Sequence, residues 1–285
     1  MSEITLDQLP EDCFAQIMSL TSPQDVCRSV LVSSPIRFVA DSDTVWEKFL
    51  PSNYEEILCR LVSPLVYSSK KELFARLSNP QLIDGGRKIF SIEKSTGKKR
   101  YMLSARELSI KWASHPLYWS WKPQFPQSRF AEVAELRTIS WLEILGLLNT
   151  KLLSPRTLYG TYLILHFANR AYGLDTLPSE VSLEVGNVVK SQGTVYLSRC
   201  DSKKQSNSER LSCCVRSCRR SKFCSAEKQV PVERKDGWME IELGQFYNDQ
   251  QGDEEVRMCL KEVKGEHLKG GLIVEGIELR PIQLH

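Results

Sequence analysis

Several features are missing from this 285-residue sequence, and each absence removes a class of function. No apolar run approaches the roughly 18 residues that a membrane-spanning helix needs. The opening residues MSEITLDQLPEDC lack a basic patch followed by an apolar segment, so no secretory signal is expected and a cytosolic or nuclear location is. Histidine is scarce, with only His115, His166, His267 and His285, widely scattered. No Ser-His-Asp order, phosphate-cradling glycine loop or paired metal spacing accompanies them, so neither a catalytic residue nor a metal or other cofactor is expected. Nine cysteines, an odd number at irregular intervals, suit reduced thiols better than a secreted disulfide framework. Cys213, Cys214, Cys218 and Cys224 do not form the two CxxC knuckles of a structural zinc site.

Net charge is small overall, +3, yet unevenly placed. Residues 199–235 carry eleven Lys and Arg against four acids, a surplus of seven, which leaves the remainder of the chain at −4. That polar, basic insert reads as a mobile loop, too long for an ordinary structured connection. Nonspecific polyanion binding or nuclear import are its sharper readings. A charge run is usually a solvated face, so nucleic acid is not expected as a partner.

What is present divides into two periods. The first eighty residues follow a helical one. Cys13, Ile17 and Leu20 recur at i, i+4 and i+7; Ser22-Pro23 with Asp25, and Ser34-Pro35, mark two further starts, and SDTVWEKFL a fourth. Ser69 with Glu72 forms another capping box ahead of Leu73, Phe74 and Leu77. Four starts within fifty residues make a small bundle with little core of its own, so a partner or the rest of the chain must cover one side. From about residue 86 the period becomes two. KIFSIEKSTGKKRYML reads as a hairpin around Thr96-Gly97, and further short strands follow at ELSIKW, ISWLEIL, LYGTYLILHF, GWMEIELG, EVRMCLKEV and GGLIVEGIELRPI. The expected fold class is α+β: a helical bundle (1–51), a helical linker (52–85) and an antiparallel β-sandwich of jelly-roll type (86–285).

The run LDQLPEDCFAQIMSLTSPQDVCRSVLVSSPIRFVADSDTVWEKFLP resembles an F-box. The resemblance implies binding to a SKP-family adaptor, and through it a cullin, by Leu9, Pro10, Ile17, Leu20, Pro23, Val32 and Trp46. Pro35-Ile36 departs from the family pattern. Apolar residues ahead of the first helix fit a partner's groove better than an internal core. The remaining motifs, among them YMLSARELSIKW, YWSWK, AELRTISWLEILG and DGWMEIELGQFYN, resemble the phloem protein two lectins of plants, the Nictaba-like family. Together the two resemblances imply the substrate-recognition subunit of a SKP-cullin-F-box ubiquitin ligase, non-enzymatic, whose lectin-like domain binds N-acetylglucosamine-containing glycans or glycoproteins. The alternative is a sandwich that recognises protein without sugar.

For the glycan site the resemblance implies two rings, Trp112 and Trp119, and two carboxylates, Glu255 and Glu262. An aromatic face beneath and acceptors beside suit a sugar. Trp119 follows Pro116 in what reads as a loop open to ligand, whereas the parity of Trp112 with Leu108 and Ile110 makes it equally a core residue. Glu255 and Glu262 fall on opposite faces of one straight strand, so they converge only if one, Glu255, lies in the flanking turn. Paired glutamates could also serve a glycosidase, but nothing else in the sequence supplies such a site. Trp121, Trp141 and Trp238 are expected to pack internally.

Overall fold

The computed structural model describes residues 10–198, 229–249 and 252–282. Six short helices come first: α1 (Glu11–Ser19), α2 (Pro23–Ser29), α3 (Ser34–Ala40), α4 (Asp43–Phe49), α5 (Tyr54–Cys59) and α6 (Lys70–Leu77). Local cap chemistry explains their starts. The Ser22 hydroxyl accepts the Asp25 amide at 3.1 Å and donates to its carboxylate at 2.7 Å, with Pro23 at the first helical position where no amide is needed. Ser33, one residue earlier than the sequence signal, caps α3. Ser69 accepts the Glu72 amide at 3.2 Å, while the Glu72 carboxylate reaches back to the amide and hydroxyl of Ser68. Each helix then buries one face: Met18, Val26, Ile36, Val39, Val45 and Trp46 form the centre of the bundle.

Fourteen strands follow among the described residues. They are β1 (Gln81–Ile83), β2 (Lys88–Ile92), β3 (Lys99–Ser104), β4 (Ser109–Ile110), β5 (Trp119–Pro123), β6 (Glu132–Leu136) and β7 (Leu142–Asn149), then β8 (Thr157–Tyr172), β9 (Ser179–Val185), β10 (Val188–Val195), β11 (Val232–Glu233), β12 (Met239–Asn248), β13 (Glu255–Glu262) and β14 (Gly270–Pro281). A nine-stranded sheet runs β1-β2-β3-β14-β8-β12-β11, with β6 on β14 and β5 on β6; a five-stranded sheet runs β10-β9-β13-β7-β4. All of these strand pairs are antiparallel. In the smaller sheet β7 and β13 alternate, burying Leu142, Ile144, Leu148, Val256, Met258 and Leu260 and turning the intervening residues outward. β14, and β8 as far as Phe167, are buried on both faces, because the outer side of the larger sheet is covered too, around Phe130, Val133, Tyr162 and Trp238.

One hydrophobic core runs without a break from Met18 in α1 to Leu279 in β14. Residues 52–85 are its middle. Ile57, Leu73, Phe74 and Leu77 are buried in it, and β1 joins the larger sheet before residue 86. The Arg60 guanidinium donates two 2.9 Å hydrogen bonds to Asp84, and those bonds hold the Asp84 carboxyl below its ordinary range. The Thr96-Gly97 hairpin forms as expected, and its tip presses on the helices. Gly97 has φ 69°, and a Cβ there would stand 2.9 Å from the Phe49 carbonyl, so glycine is required on two counts.

Most of the basic insert, 199–228, lies outside the described residues. Its last seven residues correct the expectation of a loop through 235. Val232–Glu233 pairs with β12, and Arg234 donates to Glu240 at 2.7 Å and to Glu278 at 2.9 Å. Arg100 reaches the other oxygen of Glu278 at 2.7 Å, and Arg280 holds Glu240. Burial works against the Glu278 carboxylate, but Arg100, Arg234 and Arg280 outweigh it and hold its pKa below the usual value. Burial likewise opposes Glu240, and Arg280 with Arg234 outweighs it. Carboxyls depressed in the fold bind fewer protons than in the unfolded chain, so their stabilisation is complete above about pH 5 and is lost as pH falls through the folded values. Arg234→Met is therefore expected to cost about 1–3 kcal/mol at neutral pH. Melting curves of both proteins across pH should converge as the medium is acidified below about pH 4.

Candidate functional site

Two surfaces qualify. The first is on the helices. The stripe Cys13, Ile17 and Leu20 is indeed one helical face, and it is turned outward, with Leu20 at 82% exposure; α1 buries Met18 instead. Further along the chain the α2–α3 turn exposes Leu31 (81%) and Val32, and α3 exposes Phe38. Pro10 stands exposed at the N-cap of α1 with extended backbone, and Leu9 lies outside the described residues. Scattered surface leucines need no explanation, but five large apolar residues exposed within 22 residues of short helices, Ile17, Leu20, Leu31, Val32 and Phe38, are a concentration that the bundle does not cover.

Two residues expected on that face belong to the interior. Trp46 is buried, its ring 5.1 Å from Phe74 and 5.7 Å from Phe49, its indole N–H donating to the Ala40 carbonyl at 2.7 Å. Pro23 is buried at the first turn of α2. Leu31 and Phe38 were missed. The α3 pattern held the signal for Phe38, since Ile36, Val39 and Ala40 occupy the inward face at i, i+3 and i+4 and leave Phe38 off it.

The second surface is the end of the smaller sheet where the chain reads WASHPLYWSW. Ladder pairing of β4 with β7 ends as the Lys111 amide donates to the Glu143 carbonyl at 3.0 Å. Trp112 then takes φ 58°, in the left-handed region that bulky side chains rarely adopt. The chain coils through bonds from the His115 amide to Trp112 and from the Tyr118 and Trp119 amides to His115. Trp112 is left 43% exposed, its ring 5.5 Å from Tyr118, which in turn lies 4.8 Å from His115. Just ahead of the neighbouring strand β7, Trp141, expected to be packed, is exposed to the same degree and donates its indole N–H to Glu143 at 3.0 Å. Two half-open indoles, a phenol, a carboxylate and the Lys111 ammonium thus border one end of the β4–β7 pair.

The remaining expectations for this site are corrected. Trp119 opens β5 rather than a loop; it is 2% exposed, and its indole N–H is held by the Lys111 carbonyl at 3.1 Å. Glu255 and Glu262 do not converge. They begin and end the same straight strand, about 23 Å apart at the extended rise per residue, and face opposite ways. Glu255 is exposed beside the Asn149 end of β7. Glu262 is buried, accepting the Lys264 and Gly265 amides at 3.1 and 2.9 Å and paired with the buried Lys269 ammonium. Lys269 also reaches the Ser140 carbonyl at 2.5 Å, so this pair closes the end of the sandwich. Glu262 pairs with Leu142 and so stands at the ring end, but faces inward; the outward carboxylate beside the open rings is Glu143. Strand parity could have found it, as the outward residue between Leu142 and Ile144. Trp121 is partly buried under the Arg106 guanidinium, 3.6 Å from its ring, and Trp238 is buried as expected.

Short helices with exposed apolar residues, joined through a common core to a sandwich with open rings at one end, form a two-part chain, and the parts match an F-box module and a lectin-like domain. The F-box-like family model matches residues 6–52 and the phloem protein 2 model residues 98–281, and the chain belongs to the phloem protein 2 family. Among similar proteins of Arabidopsis thaliana, F-box protein PP2-B15 is 48% identical over 279 residues, spanning 96% of each chain. F-box protein PP2-B13 is 45% identical over 97% of this chain and 99% of its own, and F-box protein VBF 44% over 96% and 98%. A family 35 carbohydrate binding module from Clostridium thermocellum aligns at a TM-score of 0.31 and 10% identity, covering 63% of this chain and 96% of its own. A likeness that slight carries no inference about ligand.

Proposed function

We propose that this protein is the substrate-recognition subunit of a SKP-cullin-F-box ubiquitin ligase, acting in the cytosol or nucleus. The observation that supports the reading is the exposure of Ile17, Leu20, Leu31, Val32 and Phe38 on the helices, apolar surface of the kind that docks in a partner's groove. The protein's part is non-catalytic: tethering raises the effective concentration of a target lysine near a charged conjugating enzyme. Leu20→Asp combined with Leu31→Asp is expected to weaken coprecipitation with a SKP-family adaptor by about a hundredfold or more, since each buries a charge in the interface. Both positions are solvent-exposed in the free chain, so its melting temperature should hold. Wild-type recovery of adaptor by the double variant refutes the reading.

For the cargo arm we propose a glycan or glycoprotein bound at the Trp112, Tyr118 and Trp141 end, with Glu143 as acceptor. A specific observation favours a second reading, a protein target without sugar: Trp119 is enclosed, and Glu255 and Glu262 stand at opposite ends of β13. A glycan array separates the two. Signal on N-acetylglucosamine oligomers that drops about tenfold or more in Trp112→Ala supports sugar recognition. No signal from the wild type leaves the protein-target reading.

A further inference from the structure

A cavity of about 600 Å³ lies where helices meet sandwich, apart from both surfaces described above. Pro23, Trp46, Phe74 and Ala75 give it an apolar wall; Lys71, and Lys94 from the β2–β3 turn, give it positive charge. No carboxylate is among the described residues that line it. The Lys71 ammonium is 5.6 Å from the Trp46 ring and bonded to Asp41, whereas Lys94 is exposed and makes no ion pair among the described residues. A second cavity, about 500 Å³, shares Gln24 and Ser95 with the first and adds Lys98 and Arg156. Its single carboxylate, Glu93, accepts the Thr96 hydroxyl at 2.7 Å. Burial holds the Lys98 ammonium below its ordinary range, so an arriving anion would relieve a charge already partly stripped of water.

Size, wall and charge together select a ligand class. Pockets of about 300–1,000 Å³ hold small organic molecules, an aromatic wall suits a ring, and ammonium groups without lining acids suit one negative group. We propose that this junction binds a small organic acid, a ring or compact apolar body carrying one carboxylate, sulfonate or phosphate, with the body against Trp46 and Phe74 and the anion at Lys94. Such an occupant touches α2, α4, α6 and the hairpin at once. It therefore braces the adaptor-facing helices against the cargo-facing sandwich.

The test is a fluorescence titration of the purified full chain with 8-anilinonaphthalene-1-sulfonate, an aromatic ring system with one anionic group. A saturable single-site isotherm is expected. Ala75 is exposed on the cavity wall, so Ala75→Phe should fill the space without touching the core and weaken binding by about tenfold or more. Lys94→Glu should weaken it by roughly threefold, the size of an exposed charge pair. The neutral analogue N-phenyl-1-naphthylamine should bind less tightly and ignore the Lys94 substitution. If Ala75→Phe does not fold, the Lys94 variant and the neutral probe decide the matter by themselves. Absence of saturable binding, affinity unchanged in Ala75→Phe, or equal affinity for both probes with no response to Lys94→Glu overturns the proposal.

Discussion

Lys269→Met is expected to lower stability by about 3–5 kcal/mol, because it removes the ammonium from a pair in which both partners are buried and leaves Glu262 charged without its counterion. For a chain of this size each kcal/mol moves the melting temperature by roughly 2–4 °C, so a fall of about 6–20 °C should be seen by calorimetry. Adding Glu262→Gln should recover much of the loss. The amide oxygen can still accept the Lys264 and Gly265 N–H groups, and no uncompensated charge remains. A double variant no more stable than Lys269→Met alone would show that packing of the lysine stem, rather than charge pairing, closes this end of the sandwich.

Gly276→Ala should be almost as damaging. Gly276 sits at a register shift in β14, between β3 and β8, and a Cβ there would stand 1.9 Å from the Leu103 carbonyl oxygen. The obstructing atom is backbone in a central strand pair, so it cannot swing aside as a side-chain tip would, and a cost of about 3 kcal/mol is expected. Gly193→Ala on the edge strand β10 provides the comparison, since its added carbon meets only Val181 at 3.6 Å and should change stability by less than about 1 kcal/mol. Urea unfolding of both measures the difference. Equal midpoints would mean that β14 shifts to make room.

How legible was this molecule in its sequence? Features set by neighbours along the chain were readable. The Ser22 and Ser69 caps, the Thr96-Gly97 turn and the alternation in EVRMCLKEV each rest on chemistry spanning a few residues, and each is where the sequence puts it. Direction was harder. The spacing of Cys13, Ile17 and Leu20 identifies a helical face but is the same whether that face meets the core or water. Only the tertiary arrangement, with Met18 turned inward, shows that it meets water.

The sugar-site residues were the least readable. Pro116 marks a turn correctly, yet the turn closes before Trp119, which enters β5 and the core. Convergence of Glu255 and Glu262 needed a bend that β13 does not have. Trp141 and Glu143 were open to simple parity, since Leu142 and Ile144 take the inward slots of β7. The assumption that large rings pack inside concealed that signal.

The unbroken core from α1 to β14 has a mechanical consequence. A receptor whose two ends were strung on a slack tether would let captured cargo wander through a wide volume. On the function proposed above, the mount and the gripping end would be parts of a single boom, tied by one continuous core among the described residues. The arc swept by a held target is then governed by the target's own shape and slack. If the protein is the ligase receptor proposed above, cargo lysines at the correct standoff would be modified repeatedly, and their near neighbours passed over.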